Sequence, residues 1–76
     1  MNTSDIGNFV RTTRKQQGLR QNELAAAANV GVRFLIELES GKDTAQIGKV
    51  LSVLQALGID LRLVPPGGAS TNGSKE

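Results

Sequence analysis

The side chains best equipped for chemistry fall in two groups. Arg11, Arg14, Lys15 and Arg20 lie within ten residues that contain no Asp or Glu, and Arg33 and Glu37 stand one helical turn apart with Val32 and Ile36 beside them. Neither group is suited to making or breaking bonds. Clustered cations bind phosphate, whereas a guanidinium, a carboxylate and small apolar groups can recognise the edges of bases. The rest of the inventory narrows the choice: there is no His, Cys, Tyr or Trp, no phosphate-cradling glycine loop and no cluster spaced to hold a metal. No catalytic residue, metal or cofactor is therefore expected, and the protein reads as a non-enzyme. So small a core also leaves little room for an effector pocket.

Residues 19–41, LRQNELAAAANVGVRFLIELESG, must position these groups. They read as a short amphipathic helix, a three-residue break and a second helix, at the spacing of a DNA-reading helix-turn-helix. Leu24, Ala25, Val30, Leu35 and Leu38 can all face one small core. The outward face of the second helix is then free, and it carries Val32, Arg33, Ile36 and Glu37.

Flanking elements follow from capping and period. The first helix is expected to start after Thr3 or Ser4, with Asp5 in its first turn, a buried stripe of Ile6, Phe9, Val10 and Thr13, and Gly18 at its end. The second should run over 21–28 and close on Asn29, the residue after glycine that best tolerates a left-handed conformation. The third should occupy 32–40, with Gly31 as an N-cap that leaves the first N–H groups uncovered for a phosphate, and Gly41 after it. Thr44 is a reasonable cap for a fourth helix over 46–57, with Ile47, Val50, Leu51, Leu54 and Leu57 along one side and Gly58 as its stop.

After Gly58 the period changes to two. Ile59, Leu61 and Leu63 alternate with Asp60, Arg62 and Val64 before Pro65-Pro66, which predicts a strand. A lone strand leaves its backbone groups without partners, so its mate is expected from a second copy. Placing Leu61 opposite its own copy sets Ile59 against Leu63 and Asp60 against Arg62; a slip of two residues would oppose like charges. Residues 59–63 are thus the expected dimerisation segment. The chain divides into a DNA-binding and dimerisation domain, 1–64, and a tail, 65–76, rich in Gly, Ser and Pro and expected to be disordered, either as a loose end or as a docking peptide.

A 76-residue domain buries little surface and has no cysteine to staple it, which again favours association with a second copy. The net charge of +2 identifies no partner by itself. The first residues, MNTSDIGNF, lack a basic n-region and an apolar run, and no segment approaches the roughly 18 apolar residues of a membrane span, so a soluble cytoplasmic protein with no membrane partner is expected.

From Ile6 to about Ile59 the chain resembles the lambda-repressor-like, or XRE-type, helix-turn-helix family. The resemblance is carried by Arg14-Lys15, Gly18-Leu19, Gln21, Glu23-Leu24-Ala25, Val30, Leu35, Leu38-Glu39, Gly41-Lys42 and Leu57-Gly58. Arg33-Phe34-Leu35, Glu37-Leu38-Glu39 and the strand ending in place of a fifth helix are similar to HipB-type antitoxins, autorepressors paired with a HipA-like serine/threonine kinase toxin. The fold so implied is mainly α: a four-helix lambda-repressor-like domain whose C-terminal β-strand pairs across a homodimer.

The resemblance also implies roles. Gln21 stands where the family fixes its domain on the DNA backbone, and Glu39 with Arg14 would tie the recognition helix to the first helix. Arg33, at the start of the recognition helix, is placed to read O6 and N7 of guanine together. Val32 can touch a thymine methyl, and Glu37 either accepts from cytosine or braces Arg33, the bracing role being favoured. Phosphate contacts are expected from Arg14, Arg20, Gln21, Gly31 and Lys42. Two positions depart from the family: Arg20 replaces the usual Ser or Thr cap, and Ile36 is an outward isoleucine that either reads thymine methyls or packs on something other than DNA.

The leading expectation is a homodimeric repressor on a palindromic, double-stranded operator, associated with the nucleoid when bound. It would also serve as the antitoxin of a HipA-like kinase that autoregulates its own operon. The alternatives are a stand-alone regulator and a pure protein-interaction module.

Overall fold

The computed structural model describes residues 1–67. They form four helices, α1 (Thr3–Gln16), α2 (Gln21–Ala28), α3 (Val32–Glu39) and α4 (Ile47–Ala56). The mainly α architecture expected from the sequence is the one observed. Each helix closes on a left-handed residue: Gly18, Asn29, Gly41 and Gly58. At Asn29 the backbone (φ 58°, ψ 44°) lets the N–H of Val30 reach back to the carbonyl of Ala25 at 3.0 Å, so the break between α2 and α3 needs no glycine.

Helix α1 starts one residue earlier than Thr3 or Ser4 capping would have it. Asn2 is the cap: its side chain accepts from the Asp5 N–H at 2.9 Å, and the Asp5 carboxylate accepts from the Asn2 N–H at 3.1 Å. Nor does Thr44 cap α4; the N-cap is Gln46, without a side-chain bond. Helix α3 ends at Glu39, with Ser40 as its C-cap.

One core holds the four helices. Val10, Leu24, Leu35 and Val53 are fully buried at its centre, one from each helix, with Ala25, Ala28, Leu38, Leu54 and Leu57 around them. Gln17 at the end of α1 donates to the Leu57 carbonyl at 2.7 Å and joins the C-terminal ends of α1 and α4.

The expected α1 stripe is rotated. Gly7, Val10 and Arg14 are its buried residues, Thr13 is half-buried and Phe9 is 57% exposed. The cause is the close approach of α1 to α3. A Cβ on Gly7 would lie 3.0 Å from the Glu39 carbonyl oxygen and still closer to that of Leu38, so the helices meet at the glycine and Phe9 falls outside the seam. Helix α4 is likewise apolar on more sides than one core covers: Val53, Leu54 and Leu57 are buried, while Ile47 and Leu51 are exposed.

Residues 59–64, expected as a strand, are non-helical and belong to no sheet among the described residues. Most of the tail, residues 68–76, lies outside the described residues. Among the described residues no helix is long and apolar enough to cross a membrane.

Candidate nucleic-acid interface

The expected tie between α1 and α3 is present and buried. Arg14 Nε donates to Glu39 Oε2 at 2.7 Å, Nη2 to Oε1 at 3.0 Å and Nη1 to the Leu19 carbonyl at 2.8 Å. The hydrogen bond to Glu39 raises the pKa of Arg14 above its already high ordinary value, against the opposing effect of burial. This geometry removes Arg14 from the expected phosphate-binding set, because its guanidinium points inward and is spent on Glu39 and Leu19. Arg11, Lys15 and Arg20 of the same cationic run remain exposed.

Gln21 joins the same network. Its Nε2 donates to Glu39 Oε1 at 3.2 Å, so one carboxylate links α1, α2 and α3. A side-chain amide nitrogen carries two hydrogens, and the second stays available to an acceptor outside the protein. Composition alone hides this coupling of Gln21 to Glu39, because the two are 18 residues apart.

Arg20 starts α2 without a side-chain cap; Glu23 instead accepts from the Arg20 backbone N–H at 2.7 Å. Serine in place of Arg20 would supply the missing acceptor. Arg20→Ser should therefore raise stability by about 1 kcal/mol, which thermal melts of the two proteins will check.

Helix α3 presents three of the four residues expected on its outward face, Glu37 being half-buried. Val32, Arg33 and Ile36 are exposed, and among the described residues Arg33 makes no ion pair. Glu37 does not brace Arg33. It pairs with Lys42, Nζ to Oε1 at 3.2 Å, because the left-handed Gly41 (φ 89°) folds the chain back and brings Lys42 alongside, its N–H 3.1 Å from the Glu37 carbonyl oxygen. Gly31 is the N-cap of α3 and has no side-chain acceptor, so the first-turn N–H groups open to the exterior beside Arg33. No acidic residue occupies that turn.

The end of α3 is held from α1 by a second contact: Thr3 Oγ1 donates to the Gly41 carbonyl at 2.8 Å. A free cationic and apolar face on a short helix, set at a fixed angle by a preceding helix, is the arrangement that enters a major groove.

The helix-turn-helix family model HTH_3 matches residues 10–64, which include all of α2, the break, α3 and α4. The chain belongs to the helix-turn-helix family. It is 59% identical over 64 residues, 84% of each chain, to an uncharacterized HTH-type transcriptional regulator, y4mF, of Sinorhizobium fredii. Among solved structures, the clp gene regulator ClgR from C. glutamicum is 33% identical, with a TM-score of 0.68 over 76% of this chain and 75% of that one. HipB in the HipA-HipB-O2-O3 complex and in the HipB-O4 20mer complex superposes with a TM-score of 0.79 over 87% of this chain and 93% of that one. At 21% identity this second likeness is one of fold. The helix-turn-helix fold read from residues 19–41 is thus the fold of the family.

Proposed function

We propose that the chain is a sequence-specific transcriptional repressor that acts as a homodimer in the cytoplasm. Each copy inserts α3 into a major groove of a palindromic operator, with half-sites about 34 Å apart. The observation that carries this reading is the exposed α3 face, where Arg33, without an ion pair among the described residues, is flanked by Val32 and Ile36. Arg33 takes the O6 and N7 acceptors of a guanine, while Val32 and Ile36 lie against neighbouring thymine methyls. Gln21, Arg20, Lys42 and the open N–H groups after Gly31 contact the phosphates on either side. Glu37, held by Lys42, lies on the rim of the reading face, where it accepts from cytosine.

Copies join through residues 59–64, with Leu61 opposite the partner's Leu61 and Asp60 opposite the partner's Arg62. In one chain Arg62 Nε donates to Asp60 Oδ2 at 3.1 Å, an exposed pair that the proposed dimer would exchange for the pair across the two-fold axis.

Arg33→Ala tests the DNA reading. With an operator selected from a random duplex library, affinity should fall roughly 5- to 150-fold, the equivalent of about 1–3 kcal/mol for one bidentate contact. The melting temperature should not change. Wild-type binding should also weaken steeply with salt as counterions are released. Binding that ignores both salt and Arg33 would reject the mechanism.

The antitoxin role is a further part of the proposal, supported by the fold shared with HipB and by the ending in residues 59–64. Its partner is a HipA-like serine/threonine kinase, which should co-purify with this chain when the adjacent gene is co-expressed. The similarity to ClgR at 33% identity favours the second reading, a stand-alone regulator, and absence of a co-purifying kinase would select it.

A further inference from the structure

The flank of α3 that faces α4 holds a cation with no role so far. Lys49, in the first turn of α4, places its Nζ 5.6 Å from the centroid of the Phe34 ring, close enough for the negative face of the ring to attract it. Phe34 is half-buried and packs against the core, so the ring is a fixed platform. Lys49 itself is exposed, no acidic residue stands in its turn of helix, and among the described residues it makes no ion pair.

A ring and a carboxylate hold a lysine differently. The Glu37 carboxylate offsets the charge of Lys42 and has to be given up before Lys42 takes a phosphate. A ring leaves the ammonium its full charge and leaves N–H donors for an anion, because an ammonium has three donors and needs only one side for the ring. It also narrows the rotamers of the long stem beforehand, so less entropy is lost when the anion arrives.

The place of the ring on α3 decides which anion that is. Residues of a helix advance by about 100° each, so Glu37 lies about 40° and Phe34 about 100° to one side of Arg33, and Glu39 about 120° to the other. Glu39 holds Gln21 on its flank, while Glu37 and Phe34 hold Lys42 and Lys49 on theirs. A helix in the major groove has a phosphate backbone on each side of it. We propose that Lys49 is a phosphate-binding residue, held on Phe34 so that its ammonium meets the DNA strand across the groove from the one Gln21 and Arg20 contact. The inference rests on the reading of α3 as the groove helix and adds what closes its second flank. The approach is open at Gly48, where a Cβ would meet nothing within 4 Å.

Lys49→Met keeps the length of the stem and removes the charge. On an operator selected from a random duplex library it should weaken binding roughly fivefold to tenfold per bound copy at about 0.1 M salt and lower the salt slope by about 0.9 per copy, the counterion release of one phosphate contact. The loss should be equal on operators altered at single base pairs, since a phosphate contact carries no sequence information. Lys49→Arg, which keeps the charge and stacks on rings, should restore the slope. Neutral methylphosphonates placed one at a time along the half-site should find a linkage whose neutralisation weakens the wild type and spares Lys49→Met. In a Phe34→Leu background, with folding checked by thermal melts, the Lys49→Met loss should shrink by at least half. An undiminished loss there would overturn the role of the ring. A wild-type salt slope in Lys49→Met, or methylphosphonate costs equal in both proteins at every linkage, would overturn the contact; continued sensitivity to Arg33→Ala would leave the repressor reading standing. A wild-type protein that binds no selected duplex would remove the reading and this inference together.

Discussion

Glu39→Ala should lower the melting temperature by more than about 10 °C, since removing one partner of a buried ion pair costs about 3–5 kcal/mol and each 1 kcal/mol is worth roughly 4–8 °C in a domain of this size. That loss is a large share of the total, because marginal stability gives a chain of this length roughly 4–11 kcal/mol. The variant leaves the Arg14 guanidinium buried, with Leu19 as its remaining partner, and leaves Gln21 without its anchor. DNA binding should therefore fall together with stability, in contrast to Arg33→Ala. An apolar replacement of both ion-pair partners, Arg14→Met with Glu39→Met, separates the two effects. It should recover most of the melting temperature, as such swaps of buried ion pairs commonly do, while Gln21 still has nothing to hold it. Full DNA affinity in the double variant would show that Gln21 does not depend on Glu39. An unchanged melting point in Glu39→Ala would show that the ion pair contributes nothing.

The second large effect should come from Gly7→Ala, and its sign runs against helix propensity. Alanine in a helix interior is better than glycine by about 1 kcal/mol. At Gly7, however, the added Cβ meets the backbone carbonyls of Leu38 and Glu39, which cannot swing aside as a flexible side chain could. Overpacking of this kind costs about 1–3 kcal/mol and more where backbone must move, so the net change should be destabilising. The shift falls on the last turn of α3, and DNA affinity should drop with it. Gly48→Ala is the matched control, since its Cβ would meet nothing within 4 Å; it should gain about 0.5 kcal/mol. Thermal melts of the pair check the argument, and a rise for both would refute the contact at Gly7.

Much of this fold is written in local signals. Gly18, Asn29, Gly41 and Gly58 end the helices because their left-handed backbone is a property of the residue itself, and the spacing of Leu24, Ala25, Leu35 and Leu38 can be read without knowing what they touch. Phe9, Ile47 and Leu51 show where that reading stops. Periodicity says that a residue shares an apolar side, not which neighbour covers it. The seam between α1 and α3 runs through Gly7, and the side that carries Phe9 is left open. Gly7 did carry a signal: a glycine inside an otherwise helical pattern costs stability and so calls for a packing reason.

The interface was legible to a similar depth. The outward set Val32, Arg33 and Ile36 follows from helix geometry alone. The Glu37–Lys42 pair depends on how Gly41 turns the chain after α3, which a helical spacing rule does not reach. Arg14 belongs by sequence to a cationic run and by structure to the interior, because Glu39, 25 residues away, turns it there.

The bond from Thr3 to the Gly41 carbonyl, together with the Asn2 cap, has a practical consequence for handling the protein. The front of the polypeptide works as a brace for the reading helix, so an affinity handle fused directly before Asn2 presses on the same lever that sets its tilt. Operator titrations are best made with material that carries nothing bulky against Asn2 and Thr3.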